Sequence, residues 1–201
     1  MVQAILAGRK TQTRRTRGLN KVNEQPSLWK FEDTAIAPYT EDPLFYFKCD
    51  EYEKHVLINS PFGKAGDVLW VRESFLINPI GQTPFLYKAS STISKFLKWK
   101  PSIHMPKEAA RIFLKIKDIR VERLFDISES DAIAEGIDAV DIRDGSILYK
   151  DYRKYRPNIL RDPNKSFLSL WESINGVDSL NDNHWVWVIK FERIEKPENF
   201  V

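Results

Sequence analysis

Stretches with the period of a strand and stretches with the period of a helix follow one another along this chain without regular alternation, which predicts an α+β fold with a mostly antiparallel sheet. Val2, Ile5 and Leu6 share one helical face and Gly8 follows as a C-cap, so a short helix is expected over residues 2–7. Gly66-Asp67 marks a turn, and the continuous run Val68-Leu69-Trp70-Val71 reads as a strand buried on both faces. Phe85-Leu86-Tyr87 suggests another strand. Further on, Ile112, Leu114 and Ile116 alternate with Phe113, Lys115 and Lys117, and after Asp118 the apolar parity moves to Ile119 and Val121. Such a shift inside one strand of residues 111–124 predicts a bulge or sharp bend, as small barrels require. In a last strand, Trp185, Trp187, Ile189 and Phe191 alternate with Val186, Val188 and Lys190, and the tryptophan stripe is read as core.

Two more helices declare themselves by their ends. Ser128-Glu129-Ser130-Asp131 opens one with an N-cap and early acidic residues, and Gly136 closes it. Asp162-Pro163 opens the other; Phe167, Leu170, Trp171 and Ile174 follow at helical spacing, and Asn175-Gly176 ends it. Residues 20–62 and 138–165 lack a clear period and are read as two insertions, the first packing over the core as a lid. The expected architecture is a small, strongly bent β-barrel flanked by short helices.

Composition narrows this picture. With 201 residues the chain builds one domain with a real core, and its 42% hydrophobic and 29% charged residues are those of a globular protein. No apolar run is long enough to span a bilayer, and the first residues lack the order of regions of a signal peptide, so a cytoplasmic location is expected. The single cysteine, Cys49, excludes an intramolecular disulfide, and His55, His104 and His184 lie far apart, so a structural zinc site is not expected. No phosphate-cradling glycine loop or two-carboxylate metal cluster can be made out, and the chemistry expected below requires neither a metal nor an organic cofactor. Net charge is only +3, but Arg9, Lys10, Arg14, Arg15, Arg17 and Lys21 all precede the first acidic residue, Glu24. That local field suits an anion, nucleic acid being the commonest large one.

The candidate chemistry lies in the same segment. A threonine hydroxyl becomes a nucleophile only when a base takes its proton, and a lysine serves as that base only if burial or neighbouring cations lower its pKa. Lys10 and Thr13, three apart and surrounded by Arg9, Arg14 and Arg15, form such a pair, or else belong to a basic loop that contacts phosphates. Glu135 falls in the last turn of the 128–136 helix, where the negative end of the dipole disfavours a carboxylate, a setting for proton transfer or simply an exposed helix residue. Asp131, in the favourable first turn, is read as structural. Arg72 and Glu73 are a salt pair at a strand end or the rim of a site, and His104 sits in a proline-bounded loop, Lys100 to Pro106.

Four ordered blocks, Gly8 to Arg15, Gly66 to Glu73, Lys100 to Pro106 and Trp185 to Ile189, together resemble the ASCH-domain family, particularly its phage and prophage members. The resemblance runs from residue 1 to about 194 and leaves the two insertions poorly covered. It implies a PUA-like barrel with a cleft beside the Gly-x-Lys-x-x-Thr segment, binding RNA or nucleotides. Some small bacterial members are amidohydrolases that deacetylate N4-acetylcytidine with a lysine, a threonine and a glutamate, and these fall on Lys10, Thr13 and Glu135. The expected function is therefore binding of a nucleobase, modified nucleoside or RNA, with hydrolysis of an N-acyl amide; Arg9, Arg14, Arg15, Arg72, Glu73 and His104 would contact the substrate. A noncatalytic RNA- or DNA-binding module of phage origin is the alternative, and a ribonuclease the second.

Overall fold

A computed structural model describes residues 1–78, 83–92, 97–142, 145–153 and 159–200. In chain order the elements are α1 (Val2–Leu6), β1 (Gln12–Arg15), α2 (Asn20–Asn23), β2 (Trp29–Ile36), β3 (Pro43–Cys49), β4 (Lys54–Asn59), β5 (Val68–Trp70), β6 (Phe75–Ile77), β7 (Phe85–Tyr87) and β8 (Phe113–Arg123). They continue with α3 (Glu129–Ala134), β9 (Ala139–Asp141), β10 (Ile147–Lys150), β11 (Ile159–Leu160), α4 (Pro163–Asn175) and β12 (Trp185–Ile194). The organising unit is a four-stranded antiparallel sheet, ordered β1-β12-β8-β5, that curls into a half-barrel. The fold is mixed α and β, as expected, but its main sheet is open, with β1 and β5 as its edges.

Strand β12 runs through the centre because both of its faces are apolar. Trp185, Trp187 and Ile189 enter one core with Leu19, Val22 and Ile116, while Val186 and Val188 enter a second with Leu124, Ile127, Phe167 and Trp171. The parity shift in β8 is a bulge. Lys190 faces Asp118 and Phe191 faces Ile116, which leaves Lys117 as the extra residue and bends the pair.

Strand β5 corrects an expectation: as an edge strand it leaves Val68 42% exposed and is not buried on both faces. The first insertion differs more. Its strands form a regular antiparallel sheet, ordered β2-β3-β4, and Phe45, Phe47 and Cys49 on alternate positions of β3 point into the core. Phe45 meets Trp187 edge-on at 4.7 Å, and Phe47 meets Trp185 at 5.2 Å. This layer is therefore a wall of the core, which aromatic residues on both of its faces concealed in the sequence. Within the second insertion β9, β10 and β11 form a small sheet beside α4, where Ser166 Oγ donates to the Lys150 carbonyl at 2.7 Å; positions 143–144 and 154–158 lie outside the described residues.

Both predicted helix starts are capped. Ser128 Oγ accepts from the Asp131 N–H at 3.2 Å, and Asp162 Oδ1 accepts from the Asn164 and Lys165 N–H groups at 2.8 and 3.1 Å. Proline at the first position of α4 loses nothing there, since that N–H has no helical partner. Among the described residues no helix is long and apolar enough to cross a membrane.

Candidate active site

The basic segment is held between the end of α3 and strand β12. Gly8, at φ +70°, turns the chain out of α1, and the N–H groups of Arg9 and Lys10 both donate to the Ala4 carbonyl, at 2.9 and 3.0 Å. Thr11 then bridges the two neighbours: its N–H donates to Ala134 O at 2.9 Å, and its carbonyl accepts from Phe191 N–H at 2.8 Å. From Gln12 the chain is strand β1, with Thr13 opposite Ile189 and Arg15 opposite Trp187. The polar composition gave no hint of a strand here. Backbone pairing with the edge of an apolar strand suffices to make one.

Glycine at position 136 makes this approach possible. A Cβ there would lie 2.7 Å from Lys10 Cβ and 2.9 Å from Ala4 Cβ, and its φ of +80° lies in the left-handed region. The end of α3 therefore packs directly on the stem of Lys10.

That packing buries an ion pair. Lys10 Nζ donates to Glu135 Oε2 at 2.7 Å and to the Glu135 carbonyl at 2.8 Å, with 3% and 4% of the two side chains exposed. The other carboxylate oxygen, Oε1, accepts from Arg14 Nη1 at 3.1 Å. Arg14 is itself fully buried: it also binds Glu122 and Asp131, and it lies 5.4 Å from the Phe167 ring centroid. Arg120 closes the network with bonds to Asp131 at 2.6 Å and Glu122 at 3.1 Å. Glu135 is thus fixed by one cation on each oxygen. Burial pulls the Lys10 pKa below its ordinary value, with the field of Glu135 opposing.

Thr13 is placed differently. Its hydroxyl is buried and has no hydrogen-bond partner, so it is not bonded to Lys10 or Glu135. It lines a cavity of about 290 Å³ together with Lys10, Arg15, Leu69, Trp70 and Arg72. Arg15 stands on the same face of β1 as Thr13 and remains exposed; its Nη1 donates to the Arg14 carbonyl at 2.8 Å, and burial of part of its surroundings lowers its pKa. A second cavity of about 190 Å³ is lined by Glu135, Arg14 and Arg15 on one side and by Phe167, Leu170 and Trp171 of α4 on the other.

The structure thus brings Lys10 into contact with Glu135 and puts Lys10, Thr13, Arg15 and Arg72 around one cavity. Arg14 faces inward, committed to carboxylates. Arg9 is tied to the chain after α3, at 3.0 Å from Ile137 O and 3.2 Å from Asp138. Arg72 and Glu73 are not a pair: Arg72 lies 5.0 Å from the Trp70 ring centroid, whereas Glu73 is buried and bound at 2.7 and 2.8 Å by Arg111. His104 is exposed in the turn Ser102–His104 and does not line the Lys10 cavity, although the carbonyl of its neighbour Ile103 accepts from Arg72 Nη1 at 3.5 Å.

Sequence reasoning passed over Arg120 and Glu122, alternate polar positions on β8 that would have been flagged had their partner Arg14 been recognised as buried; Asp131, read as structural, belongs to the same network. Among the described residues no group of three His, Cys, Asp or Glu side chains is placed to hold a metal ion. Comparison with protein-family models, with curated proteins and with solved structures returned no match.

Proposed function

We propose that this protein is an ASCH-type, PUA-like enzyme that takes a modified nucleobase into the cleft beside β1 and hydrolyses an N-acyl amide such as that of N4-acetylcytidine. The observation that carries the proposal is a lysine, buried against a glutamate, that lines the same cleft as a threonine hydroxyl with no partner of its own. A buried hydroxyl without a hydrogen bond costs about 1–3 kcal/mol, and a reaction that uses it accounts for that cost.

In the reaction, Thr13 Oγ attacks the acyl carbon as Lys10, in its neutral form, takes the hydroxyl proton. Lys10 Nζ has three hydrogen-bonding positions, and two are spent on Glu135, which leaves one for the proton of Thr13, taken directly or through a water. Negative charge collects on the former carbonyl oxygen, where Arg15, the cation of β1 that lines the Thr13 cavity and has no carboxylate partner among the described residues, stabilises it. The tetrahedral centre then collapses. The C–N bond breaks, the amine leaves with the proton that Lys10 took, passed along the 2.7 Å contact with Glu135, and an acyl ester remains on Thr13. Attack of water on that ester, with Lys10 again as base, releases the carboxylic acid and restores the hydroxyl.

Lys10 also satisfies a carbonyl at the end of α3, as a purely structural staple would. On that reading the chain is a nucleic-acid-binding module without turnover. Mass-spectrometric assay of N4-acetylcytidine with wild type and Lys10→Ala separates the two. Cytidine from wild type, and none from a Lys10→Ala variant with the same circular dichroism, is the expected result; equal rates in both, or no product from wild type, would remove amide hydrolysis.

A further inference from the structure

The cleft does not end at the reacting group. The cavity at Thr13 and the cavity under α4 share Arg15. The α4 cavity in turn shares Thr16, Trp171 and Asn175 with a third, of about 230 Å³. Three adjoining cavities therefore follow the chain from β1 into α2, with α4 as the wall that the second and third have in common.

Their linings differ in kind. The middle cavity sets the apolar side of α4, with Phe167, Leu170 and Trp171, against Arg15, Thr16 and Glu135. The third is lined by hydroxyl, amide and imidazole groups: Thr16, Asn20, Asn175, Ser179 and His184 surround Trp171. Trp171 belongs to both, and its buried indole N–H has no hydrogen-bond partner. Flat apolar walls with amide, hydroxyl and imidazole groups at their edges suit unstacked bases and sugars. The segment that supplies Asn20 also carries Arg17 and Lys21, both exposed and neither in an ion pair among the described residues, at the positions where phosphates of a bound strand would run.

From this continuity we infer that the substrate is a nucleotide within a single strand rather than a free nucleoside, and that the cavity of Asn20, Asn175 and His184 holds its neighbour. The inference rests on the reading of the Thr13 cleft as a nucleobase site. A free nucleoside at the Thr13 cleft would leave the third cavity without use.

The test compares free cytidine, a fluorescein-labelled single-stranded RNA pentamer and its deoxy counterpart as ligands of the full chain, by anisotropy and competition. The modified forms, with N4-acetylcytidine at the centre, are assayed for turnover in parallel. The pentamer is expected to bind at least about tenfold more tightly than the nucleoside, the size of one additional stacked base. Asn20→Ala and His184→Ala are expected to erase that preference while leaving nucleoside binding unchanged. Weaker binding of the deoxy strand would identify RNA, and equal binding a strand of either sugar. No preference for the pentamer would overturn the inference, as would a preference that survives both variants and disappears only with added salt. Loss of turnover on every substrate with the strand preference intact would instead remove the hydrolytic reading and leave the subsite standing.

Discussion

At the scale of single residues, Thr13 and Gly136 give the sharpest contrasts. A hydroxyl kept for chemistry contributes nothing to the fold, so Thr13→Val, which preserves shape and removes an unsatisfied polar group, is expected to hold stability or raise it by about 1 kcal/mol while abolishing turnover. Urea unfolding alongside the cytidine assay checks both halves; a clear loss of stability would show that the hydroxyl is structural. Gly136→Ala should act in the opposite sense. Its methyl would meet the Lys10 stem at 2.7 Å in a left-handed backbone, and strain plus overpacking predicts a loss of about 2–4 kcal/mol in the same unfolding experiment.

The residue scale is also where the sequence was least explicit. Lys10 and Glu135, 125 positions apart, were matched through a family resemblance, and nothing in their spacing shows that they touch. Arg14 illustrates the reason. It stands between two residues that line the cavity, and strand alternation sends it to the opposite side, into three carboxylates that lie on other elements. A basic residue next to other basic residues looks like part of a phosphate grip until the strand is known.

At the scale of elements, the legible parts were those with strong local physics. Caps fixed the starts of α3 and α4, glycines their ends, and the parity shift in β8 located the bulge now seen at Lys117. Illegible were β1, made of four polar residues, and the β2-β3-β4 sheet, whose inward positions Phe45 and Phe47 are interleaved with outward Leu44 and Tyr46. Both depend on a partner surface supplied by β12, which no local window contains. The reassignment of that sheet from lid to core wall carries a consequence. Phe47→Ala, which vacates a fully buried site against Trp185, is expected to cost about 3–5 kcal/mol, measured by thermal or urea unfolding. A loss below about 1 kcal/mol would return the sheet to the status of a detachable cover.

At the scale of the molecule, the curled sheet and the two helices after β8 do one thing together. They bury a titratable pair within a cleft that stays open along β1. Burial of Lys10 has a defined sign. Because the folded state holds its proton less tightly than the unfolded chain does, whose lysine titrates near 10.5, the penalty on folding is fully present below the lowered pKa. It is relieved as pH rises toward 10.5. Activity should follow the same direction, since only neutral Lys10 can accept the Thr13 proton.

The pH dependence of kcat/KM for N4-acetylcytidine therefore tests the central claim most directly. The account predicts a rate that climbs with pH and levels off below 10.5, as Lys10 loses its proton, and no measurable rate at any pH in Lys10→Arg. A flat profile, or a Lys10→Arg variant that keeps the wild-type profile, would contradict it.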